Sequence, residues 1–384
     1  MSAVERRTVG THAGQAGRAG EAGAAAQEAG RALLRVSSIS RHFDPRLSLG
    51  ERIAVRLGSQ IETRAVRAVD DVSLSIARGE VLGLVGESGC GKSTLGRMMA
   101  GILAPTSGEA TFDGKPVMSA GKRARKTTTR VQMVFQDPFA SLDPRMKVGD
   151  AISEGPIAHG LVSPREARAY VGRWLDAVGL DRDFAARYPH QFSGGQRQRV
   201  AIARALAMQP EVLICDEPVA SLDISIQAQI INLFLELRRE FGLTMLFISH
   251  DLGVVRHLCD RVAIMYLGRI VEVGSASDTY AEPRHPYARA LLDSVPRLVL
   301  DADTPVVFKA IAGELPSPLA PPPGCHFHQR CAFARERCSR EAPPLRDIGG
   351  GRTVACHFPL LPDGAERPGA GGGSEAGGGV AAQD

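Results

Sequence analysis

Val81-Leu82-Gly83-Leu84-Val85-Gly86-Glu87-Ser88-Gly89-Cys90-Gly91-Lys92-Ser93-Thr94 is the stretch on which the fold turns. Its first five residues are all apolar or glycine, as in a strand buried on both faces of a parallel sheet. They run straight into G-x-x-x-x-G-K-[ST], a loop pattern that belongs between such a strand and a helix. Gly86, Gly89 and Gly91 let backbone N–H groups turn inward around phosphate oxygens with no Cβ in the way. The main chain of Glu87, Ser88, Cys90 and Thr94 is expected to join that cradle. The start of the following helix adds unpaired donors and a partial positive charge. Lys92 brings a point charge for the β- and γ-phosphates, and the Ser93 hydroxyl is placed to ligate Mg²⁺.

Neighbouring segments repeat the strand-then-helix order. Val212-Leu213-Ile214-Cys215 is a second buried strand, and it ends in Asp216-Glu217. In doubly wound sheets, ligands sit at the carboxyl ends of the strands. Asp216 can therefore reach the Mg²⁺ shell, and Glu217 can accept a proton from an attacking water. Thr244 to Ile248 is a third buried strand and leads to Ser249-His250 at the same edge. Gln136 follows the mostly apolar Val131 to Phe135. Taken alone, His250 reads equally as a structural hydrogen-bonder, and Gln136 as a surface amide.

Ser93 to Leu103 has helical spacing, with Leu95, Met98, Met99 and Ile102 on one side. Ile224 to Phe241 is the longest helix and is closed by Gly242. Strands alternating with helices imply a parallel α/β core. Leu33 to Phe43 reads as an edge strand, Val66 to Ile76 as another strand, and Arg261 to Val273 as a hairpin turning at Leu267-Gly268-Arg269. The stretch 139–206 has no buried-strand run but several helical patterns, Arg165 to Ala177 among them, so it reads as a helical subdomain inserted into the core. The domain reading is then a disordered Ala/Gly-rich segment 1–30, an ATPase domain 31–273, a Pro- and Cys-containing extension 274–360, and a disordered Gly-rich tail 361–384.

Composition narrows the class. The 384 residues are 44% hydrophobic and 23% charged, with a net charge of +4. A balance this small does not by itself predict nucleic acid binding. The basic run Lys122-Arg123-Ala124-Arg125-Lys126 has no interleaved aromatics and reads as a solvated loop, so no nucleic acid partner is expected. No run of eighteen apolar residues is present, and the N-terminus lacks the order of a signal peptide. A cytosolic setting is the expectation. There the seven cysteines are thiols or metal ligands before they are disulfides.

A resemblance carries the reading further. Gln191-Phe192-Ser193-Gly194-Gly195-Gln196-Arg197-Gln198-Arg199 resembles the signature motif of ABC transporter ATPases, and it lies between the phosphate loop and the acidic pair, in that family's order. The resemblance implies that Gln136 is the Q-loop glutamine, contacting Mg²⁺ and sensing the transmembrane subunit. It makes Ser221-Leu222-Asp223 the D-loop and His250 the switch histidine at the γ-phosphate. Phe43 stands where the family places an adenine-stacking aromatic, with plain core packing as the alternative. In the implied mechanism two ATPases stack head to tail. Each ATP lies between one chain's phosphate loop and the other's Ser193, Gly194, Gly195 and Gln196.

Phe135-Gln136-Asp137-Pro138, Cys215-Asp216-Glu217-Pro218, Phe247-Ile248-Ser249-His250-Asp251-Leu252, the hairpin, and His285-Pro286-Tyr287-Ala288-Arg289-Ala290-Leu291-Leu292 narrow the resemblance to the oligopeptide/dipeptide importer ATPases, as the partner of the F type. ATP and Mg²⁺ are the implied cofactors. The implied partners are a second ABC ATPase, two transmembrane permease subunits and an extracytoplasmic solute-binding protein. The implied location is the cytoplasmic face of the cell membrane. Two departures are visible: Val219-Ala220-Ser221-Leu222-Asp223 exchanges the usual Ser-Ala order, and Phe192 stands where many members carry Leu.

The extension holds Cys325, Cys331, Cys338 and Cys356 at C-x₅-C-x₆-C-x₁₇-C spacing. This departs from ordinary C-x₂-C zinc ribbons. Gly324 to Cys331 resembles the extension of importer ATPases that hold an iron–sulfur cluster. Four thiolates suit a [4Fe–4S] centre. Zinc is the alternative, kept open by His326, His328 and His357, and unligated thiols are the third.

Overall fold

The structure is a computed structural model that describes residues 32–44, 65–121, 124–294, 311 and 313–361. Expectations for the two termini and for Lys122 and Arg123 lie outside the described residues. Twelve strands are numbered here in chain order: β1 Ala32–Phe43, β2 Val66–Ala77, β3 Val81–Val85, β4 Ser107–Phe112, β5 Lys115–Pro116, β6 Val131–Val134, β7 Val212–Asp216, β8 Thr244–Ile248, β9 Arg261–Tyr266, β10 Arg269–Ser275, β11 Arg346–Asp347 and β12 Thr353–Val354. The helices that matter below are α1 Lys92–Met99, α2 Val148–Ala158, α3 Ala167–Ala177, α4 Gly194–Leu206, α5 Ile224–Phe241 and α6 Pro286–Asp293.

The main sheet runs β11-β12-β10-β9-β3-β8-β7-β6. Its five strands β9, β3, β8, β7 and β6 are parallel. Every residue of β3, β7 and β8 is buried, as continuous apolar runs require of strands covered on both faces. Register sets the working edge: Leu84 pairs with Ile248, Asp216 with Ile248, and Val134 with Cys215. The loops after β3, β6, β7 and β8 therefore leave the sheet side by side, which is where such folds bind ligands.

A second, antiparallel sheet runs β2-β1-β4-β5. Here one expectation is corrected: β1 is not an edge strand. It pairs with β2 on one side and β4 on the other. Alternation along a strand reports which face is buried but not whether both of its hydrogen-bonding sides are taken. A second correction concerns α1, which stops at Met99. Gly101 has φ +69°, its N–H bonds to Met98 O, and Ile102 N–H bonds to Arg97 O. That is a Schellman closure. It leaves Ile102 48% exposed, off the face that buries Leu95, Met98 and Met99.

Other elements form where their local chemistry places them. α5 closes on Gly242 at φ +61°. The β9–β10 hairpin turns through Leu267 and Gly268, both at positive φ, as a tight two-residue hairpin turn demands. Between β6 and β7 the described chain is helical, and it packs Ile152, Tyr170, Leu175, Val200 and Leu206 into one core with the sheet. Phe192 is 4% exposed and meets Phe184 edge-on at 5.4 Å, so the larger ring is taken up by apolar packing. The segment after Gly274 is stitched back onto the main sheet. β12 pairs with β10, and the fully buried Glu272 accepts from Arg352 Nη2 at 2.8 Å and from the backbone N–H groups of Arg284 and His285.

Candidate nucleotide site

The phosphate loop is held open by its glycines and closed by its lysine. Gly91 has φ +107°, and a Cβ there would sit 2.0 Å from Ala68 O. Only glycine fits that approach. Lys92, 4% exposed, folds back so that Nζ donates to Gly86 O at 2.7 Å and Glu87 O at 2.9 Å. Its charge thus sits inside the loop. Gly268 N–H of the hairpin turn donates to Cys90 O at 2.9 Å and ties the loop to β9–β10. One member of the expected cradle behaves differently: Glu87 N–H donates to Tyr287 Oη at 2.9 Å, away from the cradle. Cys90 is buried, and burial raises its thiol pKa, so it has the character of a small packed residue.

Ser93 Oγ donates to Asp216 Oδ1 at 2.7 Å. Burial pushes the Asp216 carboxyl above its ordinary range, against the Ser93 hydrogen bond and the nearby Arg97. A buried carboxylate with one hydroxyl partner is an oxygen donor set suited to a hard divalent cation, and such a cation would offset the cost of burial. The residues therefore fit Mg²⁺, with Ser93 and Asp216 as the groups that would hold it.

Glu217 follows at φ +45°, its N–H bonded to Ile248 O at 3.0 Å. This left-handed turn swings the side chain across the strand ends. There Gln136 Nε2 donates to Glu217 Oε2 at 3.0 Å, and His250 Nδ1 lies 3.4 Å from the same oxygen. Three side chains from the ends of β6, β7 and β8 thus converge, 81 and 33 residues apart in sequence. The arrangement can orient a water, take its proton and present a ring N–H to a phosphate.

The signature segment starts α4 with a capping box. Ser193 Oγ accepts from Gln196 N–H, and Gln196 Oε1 accepts from Ser193 N–H at 3.0 Å. Gly195 is small by need, since a Cβ would meet Ile226 Cγ2 at 2.6 Å. These residues bond among themselves and point the amino end of a thirteen-residue helix outward as an anion-seeking terminus. Asp223 occupies the N-cap position of α5 with no side-chain cap bond, and Ile224 beside it is 85% exposed. Phe43 is 37% exposed, so it is not a core residue, and the Arg41 guanidinium lies over its ring at 4.7 Å from the centre.

The four extension cysteines do meet. All line one small cavity together with His285, Phe327, His328 and His357, and none is in a disulfide. The free space there is about 10 Å³, room for roughly one water. Among the described residues, no group of three or more His, Cys, Asp or Glu side chains is arranged to hold a metal ion. The donor chemistry fits a metal group; the space between the donors, about that of one water, falls short of a four-iron cluster with the side chains as they stand. Burial pushes Cys325 up to about 11 and Cys356 up to about 12.

Sequence reasoning missed Arg330. Its guanidinium reaches the phosphate loop at Glu87 with bonds of 2.8 and 3.0 Å, across 243 residues. No local pattern marks it: it is one basic residue next to a cysteine.

A phosphate loop whose serine meets one carboxylate, while a glutamine and a histidine close on the next, is the working edge of an ATP-binding cassette ATPase. Residues 69–220 match the family described as ABC transporter, and residues 271–338 match the oligopeptide/dipeptide transporter, C-terminal region. A provisionally named peptide import ATP-binding protein of Brucella abortus (strain 2308) is 50% identical over 335 residues, covering 87% of this chain and 96% of that protein. The oligopeptide transport ATP-binding protein AppF of Bacillus subtilis (strain 168) is 47% identical over 328 residues, covering 85% and 97%. Among solved structures, cbiO1 of Clostridium perfringens, part of the ABC transporter complex cbiONQ, aligns with TM-score 0.52 and 32% identity over 66% of this chain and 92% of that one. The ATP-binding cassette MJ0796, a dimer in a post-hydrolysis state with ADP and Pi, aligns with TM-score 0.53 and 26% identity over 63% and 98%. The chain belongs to the ABC transporter ATPase family, in its oligopeptide/dipeptide branch.

Proposed function

We propose that this chain hydrolyses ATP to drive uptake of di- or oligopeptides, or similar solutes, working from the cytoplasmic face of the membrane. The observation that carries the chemistry is the convergence of Gln136 and His250 on Glu217, beside the Ser93–Asp216 pair. The names of the relatives support the solute class. No helix among the described residues is long and apolar enough to cross a membrane, so this reading gives the passage to permease subunits.

In this reading Lys92 and the loop amides hold the phosphates, and Phe43 stacks on the base. Ser93, Asp216 and Gln136 would hold Mg²⁺, which would supply charge neutralisation for the β- and γ-phosphates. Glu217 takes the proton of the attacking water, and Gln136 and His250 fix the orientation of its carboxylate. His250 then faces the γ-phosphate.

Ser193, Gly194, Gly195, Gln196 and Asp223 serve the ATP of a second ABC ATPase, a related chain in a heterodimer. The unspent Asp223 side chain, the exposed Ile224 and the outward helix terminus support that role. A cleft of about 800 Å³ between β6, α2 and α4, lined by Arg130, Phe135, Ile152, Pro156 and Ala205 next to Gln136, is the proposed permease seat. An extracytoplasmic solute-binding protein completes the importer.

The test is co-purification with the permease pair and binding protein of the same importer, followed by a solute screen for ATPase stimulation. Stimulation by peptides supports the reading; activity indifferent to every peptide but raised by another solute class overturns the solute assignment. Light scattering of Glu217→Gln with ATP should show association with itself or with the related ATPase. No ATP-dependent association with either would sink the head-to-tail mechanism.

The four-thiol donor set supports a second, separate reading, a [4Fe–4S] centre in the extension with zinc as the alternative; loading would require the thiols to spread. Anaerobic purification should then yield a brown protein absorbing near ~400 nm. A colourless protein with stoichiometric zinc would favour the alternative, and one with neither metal would end the reading.

A further inference from the structure

The extension reaches the nucleotide site through one residue of the phosphate loop. Arg330 Nη1 and Nη2 lie 2.8 and 3.0 Å from the two carboxylate oxygens of Glu87, a two-pronged pair. The Arg330 side chain is 6% exposed, so little water competes for it. Its Nη1 also reaches Tyr266 Oη at 3.4 Å. The backbone of the same loop residue is taken too. Glu87 N–H donates to Tyr287 Oη of α6, and Glu87 O accepts from Lys92 Nζ. Tyr287 is fully buried, with ring centres 4.6 Å from Tyr266 and 5.3 Å from Phe327. Glu87 O also accepts from Cys90 N–H at 3.3 Å, so every polar group of Glu87 is spent, and two of its four partners come from the extension.

We infer that Arg330 and Tyr287 are positioning residues that brace the phosphate loop in its ATP-binding shape, so that the C-terminal extension sets the affinity of the core for ATP. The physical reason is the position of Lys92. Its ammonium is aimed by the carbonyls of Gly86 and Glu87, and a loop free to rotate at Glu87 would move both. The turn that carries Arg330 is strung between Cys325 and Cys331, with Arg330 N–H on Phe327 O and Cys331 N–H on His328 O. Anything that displaces that turn displaces the brace. The inference rests on the phosphate loop being the nucleotide site.

The test uses the full chain, with steady-state ATPase, fluorescent-ATP binding and thermal melting measured together. Arg330→Gln should raise KM and Kd for ATP roughly tenfold while kcat stays within about threefold. Arg330→Lys, which keeps charge but loses the fork, should fall between. Tyr287→Phe, which removes only the hydroxyl, should raise KM several-fold without loss of the aromatic packing. Arg330→Gln combined with Glu87→Gln should be no worse than the poorer single variant, since both remove one interaction. ATP affinity unchanged in both Arg330→Gln and Tyr287→Phe overturns the inference. So does a fall in melting temperature and kcat with KM unmoved, which would mark a merely structural contact. Lys92→Ala separates the two layers: ATP binding undiminished in that variant would remove the phosphate-loop reading itself, whereas its loss with normal Arg330→Gln binding would remove only the brace.

Discussion

Glu217→Gln isolates the chemistry from the binding. The substitution keeps side-chain shape, and the backbone at φ +45° with its N–H on Ile248 O imposes nothing that glutamine resists more than glutamate. Gln136 can still donate to the remaining carbonyl oxygen, so the local network loses a charge and a proton acceptor but no bond donor. Loss of a general base costs roughly 10²–10⁴ in rate, which is about 3–5 kcal/mol in barrier at 1.36 kcal/mol per tenfold. The Glu217 side chain is 15% exposed, and its charge is one cause of the raised Asp216 pKa. Neutralising it should therefore leave the fold intact, with an unchanged or slightly higher melting temperature. The assay is phosphate release at saturating Mg–ATP, paired with fluorescent-ATP titration. A fall of about 10²–10⁴ in kcat is expected, with ATP Kd within about threefold of wild type. Turnover within tenfold of wild type would remove Glu217 as the base and turn attention to a water held by other groups.

Asp216→Asn should abolish Mg²⁺-dependent hydrolysis yet raise the melting temperature of the nucleotide-free chain by a few degrees. Burial raises the Asp216 pKa in the folded state, so its ionised form costs stability above that pKa, and the cost is relieved as pH falls through it. The gain from Asn should shrink toward pH 4 in parallel melts, and a gain that grows on acidification would reverse the sign of the reasoning. Gly91→Ala should weaken ATP binding at least tenfold, because its Cβ would lie 2.0 Å from Ala68 O; wild-type affinity in a titration would mean the loop relaxes around the clash. Cys325 and Cys356, held up at about 11 and about 12, should react with iodoacetamide at pH 7.5 more than ~10²-fold slower than an exposed thiol and speed up as pH rises toward those values. Rapid labelling at neutral pH, read by mass spectrometry, would show that the thiols are not buried as described.

Much of this protein is legible in the chain because the signals are short-range. A phosphate loop needs its glycines, lysine and serine in one unbroken run, and a strand covered on both faces needs consecutive apolar residues. Both can be read without knowing what lies across the fold, and so can the helix stop at Gly242, the hairpin turn and the strand-ending acids. The alternation of such segments was enough to specify a parallel core with its ligand edge at the strand ends, and the helical patterns of 139–206, with no buried-strand run among them, marked the helical insertion.

What tertiary structure alone decided were the partnerships between distant residues. Ambiguous by themselves, Gln136 and His250 became a pair around Glu217 only when register brought the ends of β6, β7 and β8 level. The central place of β1 depended on β4, which contributes nothing to the pattern of β1 itself. The spacing of the four cysteines could promise a shared site but not its size, which is set by how the start of α6 and the returning chain pack around them. Arg330 is the clearest case. Its two-pronged partner, Glu87, lies 243 residues away, and a pairing across that distance is fixed by the packing of the folded chain rather than by any periodicity within either segment.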